Sequence, residues 1–202
     1  MRRFDAVWPL LMSAGLVTSA AAQATGLPSF NAPYRAFTRS EIGVVLTFPN
    51  GGGTAIEGAY RISRGKFDLG FRGGIFTPGG SGNSELLVGA EARERVVSHT
   101  EDFPLDGALI VGIGGGFVSN SSALFVPVGI SLGRRIDPKG SKISIVPYAQ
   151  PTGLLVARSG TTLVHFTLGL GGDFRLSPRF DARISAGLGD VEGVSLSAVW
   201  VH

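Results

Sequence analysis

From Thr161 to Leu176 the side chains alternate: Val164, Phe166, Leu168, Leu170, Phe174 and Leu176 share one parity, and His165, Thr167, Gly169, Gly171, Asp173 and Arg175 share the other. A period of two is the signature of a strand with one apolar and one polar face. The same alternation recurs along the chain and predicts ten strands, near Arg39–Phe48, Thr54–Ser63, Lys66–Phe76, Glu85–Val97, Leu105–Val118, Ala123–Arg134, Lys142–Gln150, Thr162–Leu176, Arg179–Leu188 and Gly193–Val201. The stretches between them are short and rich in turn residues: Pro49-Asn50-Gly51-Gly52-Gly53, Arg64-Gly65, Pro78-Gly79-Gly80-Ser81-Gly82, Ser119-Asn120-Ser121-Ser122, Asp137-Pro138-Lys139-Gly140, Ser159-Gly160, Ser177-Pro178 and Gly189-Asp190. Connections of this length join only antiparallel neighbours, because a parallel pair needs a crossover of a dozen or more residues. The expected fold is therefore all-β: a closed antiparallel up-and-down barrel of ten strands, with eight as the alternative count.

Which face points outward decides what kind of barrel this is. The apolar parity holds Ile42, Val44, Leu46 and Phe48 in the first strand, Phe67, Leu69, Phe71 and Ile75 in the third, Leu105, Leu109, Val111, Ile113 and Phe117 in the fifth, and Leu124, Val126, Val128, Ile130 and Leu132 in the sixth. The opposite parity holds Glu57, Arg61, Asp68, Arg72, Glu91, Arg93, Arg95, Asp106, Asp173, Arg175, Asp181 and Arg183. A water-soluble barrel puts the apolar set inside and a membrane barrel puts it outside. Strands of about ten residues fit a tilted membrane crossing. Glycines also gather on the charged parity, as with Gly112, Gly114 and Gly116 beside Asp106, and this suits a narrow tube that must house long arginines. The lipid-facing set is then Phe67, Leu69, Phe71, Leu109, Val111, Ile113, Val126, Val128, Ile130, Phe166, Leu168 and Leu170, and the twelve charged residues form a network in the lumen.

The N-terminus agrees with export. Arg2 and Arg3 precede an apolar run from Ala6 to Val17, and small residues follow, ending in Ala20, Ala21, Ala22, Gln23 and Ala24. This is the layout of a cleavable signal peptide over residues 1–24, with the cut expected after Ala22 or Ala24. Residues 25–38 carry Pro28 and Pro33 without a clean period and read as an irregular periplasmic lead-in, which leaves 39–202 as the barrel domain.

Composition narrows the chemistry. With no cysteine, disulfides, thiol catalysis and thiolate metal sites are excluded. The formal charge of +3 falls to about +2 when Arg2, Arg3 and Asp5 leave with the leader, too little to argue for a nucleic-acid partner. Although 44% of residues are hydrophobic, no segment after the leader reaches the roughly 18 uninterrupted apolar residues of a spanning helix. Insertion into a membrane must be by strands.

The run Gly-Gly-Asp-Phe-Arg-Leu-Ser-Pro-Arg-Phe-Asp-Ala-Arg, residues 171–183, resembles the strand, tight turn and returning strand of small bacterial outer-membrane β-barrels, the outer-membrane protein A, X and W types. Ile145-Val146-Pro147-Tyr148-Ala149 is similar to a Pro-Tyr strand opening found in many of them. The resemblance implies a cell outer-membrane location reached through the periplasm, with both termini on the periplasmic side. It also implies two partners: outer-membrane lipid, and the barrel-insertion machinery during biogenesis. Family members end on an aromatic insertion signal, whereas this chain ends Val199-Trp200-Val201-His202, so Trp200 is the residue matched to that role.

On this topology most of the charges fall near the periplasmic ends of their strands. Gly112, Gly114, Gly116, His165, Thr167, Ser185 and Gly187 line the outer half, which predicts a charged plug below a roomier vestibule. Chemistry finds little support. The glycines at 112–116 lack the following helix that a phosphate cradle needs. His165 is the interior histidine that Ser144, Ser185 or Asp173 could approach, but it is followed by Phe166-Thr167-Leu168 and not by the His-x-Ser-Asn pattern of barrel lipid hydrolases. No catalytic residue, metal ligand or cofactor is expected, and the barrel is expected to be a monomer. The functional expectation is a structural or interaction role at the envelope. The alternatives are a narrow pore or small-ligand barrel, a secreted soluble binding barrel with an apolar cavity, and an outer-membrane lipid-modifying hydrolase.

Overall fold

The computed structural model describes residues 24–33, 39–119 and 121–202. The expected leader lies outside the described residues, apart from Ala24. Ten antiparallel strands follow one another around a closed barrel: β1 (Glu41–Pro49), β2 (Thr54–Arg64), β3 (Phe67–Thr77), β4 (Glu85–Val97), β5 (Asp106–Val118), β6 (Ser121–Gly133), β7 (Ser144–Arg158), β8 (Thr161–Ser177), β9 (Phe180–Gly189) and β10 (Gly193–Val201). Each strand pairs with its sequence neighbours, and β1 closes on β10 from Glu41↔Val201 to Pro49↔Gly193. Closure leaves no unpaired sheet edge, the liability of an open sheet. The start of β1 and the end of β10 meet at one rim, called here the terminal rim; the β1–β2, β3–β4, β5–β6, β7–β8 and β9–β10 turns lie at the far rim.

Turn chemistry sets the hairpins. Between β7 and β8 the two connecting residues, Ser159 and Gly160, both have positive φ, 46° and 81°. That is the geometry of a two-residue hairpin whose twist matches the strands it joins.

Prolines leave their mark on the ladder. The pairing of β5 with β6 runs from Asp106↔Gly133 to Val111↔Val128 and resumes at Gly114↔Phe125. Pro127 sits in the gap and has no N–H to contribute. A similar gap separates Gly129↔Thr152 from Leu132↔Ala149, beside Pro151. On its other side β7 stays in register with β8 through Pro151↔Leu168. For this reason β7 does not stop at Gln150, as its sequence suggests, but continues to Arg158.

The faces segregate as the alternation predicts. Of the twelve residues assigned to lipid, Phe67, Leu69, Phe71, Leu109, Val111, Ile113, Val128, Phe166 and Leu170 are exposed on the outer wall, and Val126, Ile130 and Leu168 are half-buried among them. Trp200 is also on the outer wall. Glu57, Asp68, Arg93 and Asp181 are buried inside. The soluble-barrel alternative calls for apolar residues inside and charges in water; here many large apolar residues lie on the outer wall and many charges inside, with an inner apolar cluster at Phe125, Val146 and Leu154.

Candidate functional site

The lumen is the chemically distinctive part of the molecule, and two devices fill it. The first is a chain of ion pairs toward the terminal rim. Arg93 on β4 grips Asp68 of β3, with Nε 3.2 Å from Oδ1 and Nη2 3.1 Å from Oδ2. Asp68 Oδ1 also accepts from Arg61 Nη1 of β2 at 2.7 Å, and Arg61 Nη2 donates to Glu91 of β4. Arg61 Nε lies 3.4 Å from Glu41 of β1. Glu41 in turn receives two hydrogen bonds from Arg183 of β9, at 2.9 and 2.6 Å, and Arg183 Nε stands 3.1 Å from Asp173 of β8. Arg61 and Arg183 each serve more than one carboxylate and Arg93 grips both oxygens of Asp68, so the charges bridge six strands. An isolated charge in such a place would be very costly.

Of the twelve charges expected in the lumen, this chain of ion pairs contains Arg61, Asp68, Glu91, Arg93, Asp173 and Arg183, and it adds Glu41. Asp106 is buried but accepts from the backbone N–H of His99 at 3.2 Å, outside the arginine chain. Arg95 is only half-buried, at the end of β4 next to the register shift between Arg95 and Val97. Glu41 was missed although it lies on the inward parity; it is the only charge within β1 and carries no alternation by itself. Arg72 sits deeper along the tube and donates to Glu57 at 3.0 Å.

The second device is the segment 24–33. The irregular lead-in expected on the periplasmic side instead lies in the lumen over these residues. Ala24, Thr25, Leu27, Ser29, Phe30 and Ala32 are each nearly inaccessible to solvent. The segment joins no strand ladder. Side chains from the wall hold its backbone: Tyr148 donates to the Phe30 carbonyl at 2.9 Å, Ser131 to the Asn31 carbonyl at 2.9 Å, Ser195 to the Pro28 carbonyl at 3.2 Å and Arg93 to the Ala32 carbonyl at 3.3 Å. The Phe30 N–H donates to Ser185 Oγ at 3.2 Å, and Arg72 donates to Ser29 Oγ. Buried backbone groups need partners, and this segment without a ladder takes them from hydroxyl and guanidinium groups.

Apolar contacts complete the seat. Phe30 packs with Phe125, Val146, Tyr148, Leu154 and Val191, and Leu27 packs with Ala55 and Leu87. Val191 belongs to the β9–β10 turn, which folds into the far mouth so that its carbonyl accepts from Thr167 Oγ1 at 3.1 Å.

Inward glycines make room for this. A Cβ on Gly89 would stand 2.7 to 3.0 Å from three atoms of Ala24, one on Gly169 would stand 2.3 Å from the Phe30 ring, and one on Gly187 would stand 2.2 Å from the Val191 carbonyl oxygen. The roomier vestibule expected in the outer half is therefore corrected: the chain itself occupies that space. The arginine explanation of the glycines holds at Gly70, whose Cβ would meet Glu91 and Arg61 at 3.1 and 3.2 Å. A remaining cavity of about 20 Å³ between Ser29, Asn31, Glu41, Arg61, Arg72 and Arg183 holds roughly one water.

The residues weighed for catalysis are not brought together. His165 Nδ1 has Asp190 at 3.8 Å, Ser185 is engaged by Phe30, Asp173 by Arg183, and Ser144 lies at the opposite rim. Among the described residues no group of three or more His, Asp or Glu side chains has the arrangement of a metal site.

No protein-family model matches the chain, and no curated protein matches it. Solved structures of similar shape include two β-barrels. One is a de novo designed transmembrane β-barrel, 14% identical, with a TM-score of 0.41 over 86% of this chain and 98% of that one. The other is the β domain of the Bordetella autotransporter BrkA, 13% identical, with a TM-score of 0.47 over 80% of this chain and 96% of that one. The function has to be read from this protein's own wall and lumen.

Proposed function

We propose that the protein is an integral outer-membrane β-barrel of the small A, X and W kind, closed by its own N-terminal segment and charge chain, with a structural or interaction role at the bacterial envelope. The outward belt carries this reading. Ile42, Val44, Ile56, Phe71, Ile75, Leu109, Ile113, Val128, Phe166, Ile184 and Leu196 encircle the barrel, each 42–59% exposed. A water-soluble monomer rarely shows a contiguous apolar patch above a few hundred Å², whereas hydrocarbon requires such a surface. Inside that belt the arginine–carboxylate chain and residues 24–33 fill the bore.

In this reading the terminal rim faces the periplasm, and Trp200 on β10 is the mark read by the barrel-insertion machinery. The expected cleavage after Ala22 or Ala24 then falls where the lumenal segment begins, so the processed N-terminus starts inside the barrel. The test is extraction from membranes followed by gel migration before and after boiling. The expected result is solubility only in detergent and a shift in mobility on heating; a protein soluble without detergent, with one mobility, would overturn the proposal.

A further inference from the structure

Near neutrality overall conceals a local excess of positive charge on one sector of the terminal rim. The β6–β7 connection carries Arg134, Arg135, Lys139 and Lys142 against Asp137, and Arg39 and Arg179 lie beside it at the barrel seam and the β8–β9 turn. Arg39 Nη1 donates to the Pro178 carbonyl at 3.0 Å, which ties the seam to that turn. Within this sector a recess of about 610 Å³ is lined by Arg39, Arg135, Lys142, Ser144, Arg175 and Ser177. Among the described residues two carboxylates are set against these cations: Asp137, 2.8 Å from Arg135 Nε, and Asp181, opposite Arg175 in the β8–β9 register. Four cations against two carboxylates leave an excess of two positive charges at the recess.

The apolar belt reaches this place. Ile136, Ile143 and Leu176, each next in sequence to a lining cation, are exposed on the outer side. Leu176 itself lines the recess, and Ile136 and Ile143 flank Arg135 and Lys142 at its edge. An anion that enters the recess while its apolar part lies on the outer wall meets both surfaces at once.

We infer that this recess binds the phosphate of an anionic membrane phospholipid, with the acyl chains lying along Ile136, Ile143 and Leu176. The assignment rests on the membrane reading above. Planar guanidinium groups suit phosphate oxygens in pairs, Lys142 adds a point charge, and Ser144 and Ser177 add hydroxyl donors. Each basic residue near an anionic lipid surface strengthens binding about fivefold.

The experiment is native mass spectrometry of the full chain, released from detergent containing phosphatidylglycerol or phosphatidylcholine with the same acyl chains. The barrel is first shown to be folded by its heat-dependent mobility. The expected result is preferential retention of phosphatidylglycerol, reduced about twenty-five-fold in R39Q/K142Q and unchanged in R64Q/K66Q, which removes the same charge from the β2–β3 turn of the same rim. Equal loss in both variants, or loss in neither, would overturn the site. Displacement of the lipid by millimolar inorganic phosphate would overturn the lipid assignment in favour of a soluble anion. A wild-type chain with no detergent-dependent fold fails the membrane reading, and the lipid assignment falls with it. A folded barrel without lipid preference fails the recess alone.

Discussion

Tyr148 and Phe30, 118 residues apart, are joined by a hydrogen bond of 2.9 Å from the tyrosine hydroxyl to the phenylalanine carbonyl, and their rings share one buried cluster. The bond links a wall strand to a segment that belongs to no sheet. Replacing Tyr148 by Phe keeps the packing and removes the donor, at a cost of about 1 kcal/mol or somewhat more because the carbonyl is buried. The cost should fall on retention of the segment and not on the barrel. A cysteine placed at Thr25, buried in the lumen and retained whichever cut is used, should react with a maleimide about fivefold faster in Y148F than with Tyr148 present, with heat-dependent mobility unchanged. An equal labelling rate would count against the bond as a holding contact.

The glycine seat can be tested without touching a charge. Ala at position 89 or 169 would place its Cβ 2.7 Å from Ala24 or 2.3 Å from the Phe30 ring, with all three nearest neighbours in the lumenal segment. Ala at Gly58 or Gly153 would have a nearest neighbour at 3.9 Å. G89A and G169A should therefore displace the segment, read as rapid cleavage between residues 24 and 33 by an added protease, while G58A and G153A should not. Equal protection in all four variants would show that the seat tolerates a methyl group.

How far the sequence discloses this molecule depends on which residues carry a period. The outer wall was legible because Phe67, Leu69 and Phe71 or Leu109, Val111 and Ile113 repeat every second position, and the same parity placed Arg61, Asp68 and Arg183 inside. Residues 24–33 carry no period, so nothing in their pattern says lumen. Their partners are spread over nine strands, from Ala55 on β2 and Arg72 on β3 through Leu87, Gly114, Ser131, Tyr148 and Gly169 to Ser185 and Ser195. Two signals were available. Phe125, Val146 and Leu154 are large apolar residues on the inward parity, with no place in a purely charged lumen, and the inward glycines at 89, 169 and 187 leave space that Ala24, Phe30 and Val191 fill. Together they describe the mould of a missing apolar segment.

Deleting residues 24–33 should leave the barrel closed at β1 and β10 and open part of its bore. The segment contributes no ladder bonds, while Glu41, Arg61 and Arg183 remain on the wall. In planar bilayers the full-length barrel should be electrically silent and the deleted form should show small unitary currents. Silence in both would mean that the arginine–carboxylate chain seals the bore alone.

Arg183 contacts Glu41 twice and Asp173 once, so its removal takes the arginine from buried Asp173 and leaves buried Glu41 with the 3.4 Å contact to Arg61. R183M should lower stability by about 3–5 kcal/mol, measured by urea unfolding in detergent micelles. Adding E41Q and D173N to R183M should restore a large part of that loss, because the penalty comes from uncompensated charge and not from missing volume. A triple variant no more stable than R183M would locate the penalty in packing.

Val128 lies on the outer wall beside Val111 and Gly153, near the middle of β6. In water an exposed Val→Arg change is nearly neutral, within about 0.5 kcal/mol. At the centre of a bilayer the same change on a barrel costs about 2–4 kcal/mol, and the cost falls to about 0–1 kcal/mol near the interface. V128R should therefore destabilise the barrel in lipid vesicles by about 2–4 kcal/mol. Arg in place of Leu163, exposed on the part of β8 next to the β7–β8 turn, should cost less than 1 kcal/mol. The depth dependence separates hydrocarbon from any other apolar environment: a protein partner covering the wall would penalise charge according to its own contacts, with no gradient along the strand. Equal costs at 128 and 163 would remove the bilayer from around this barrel.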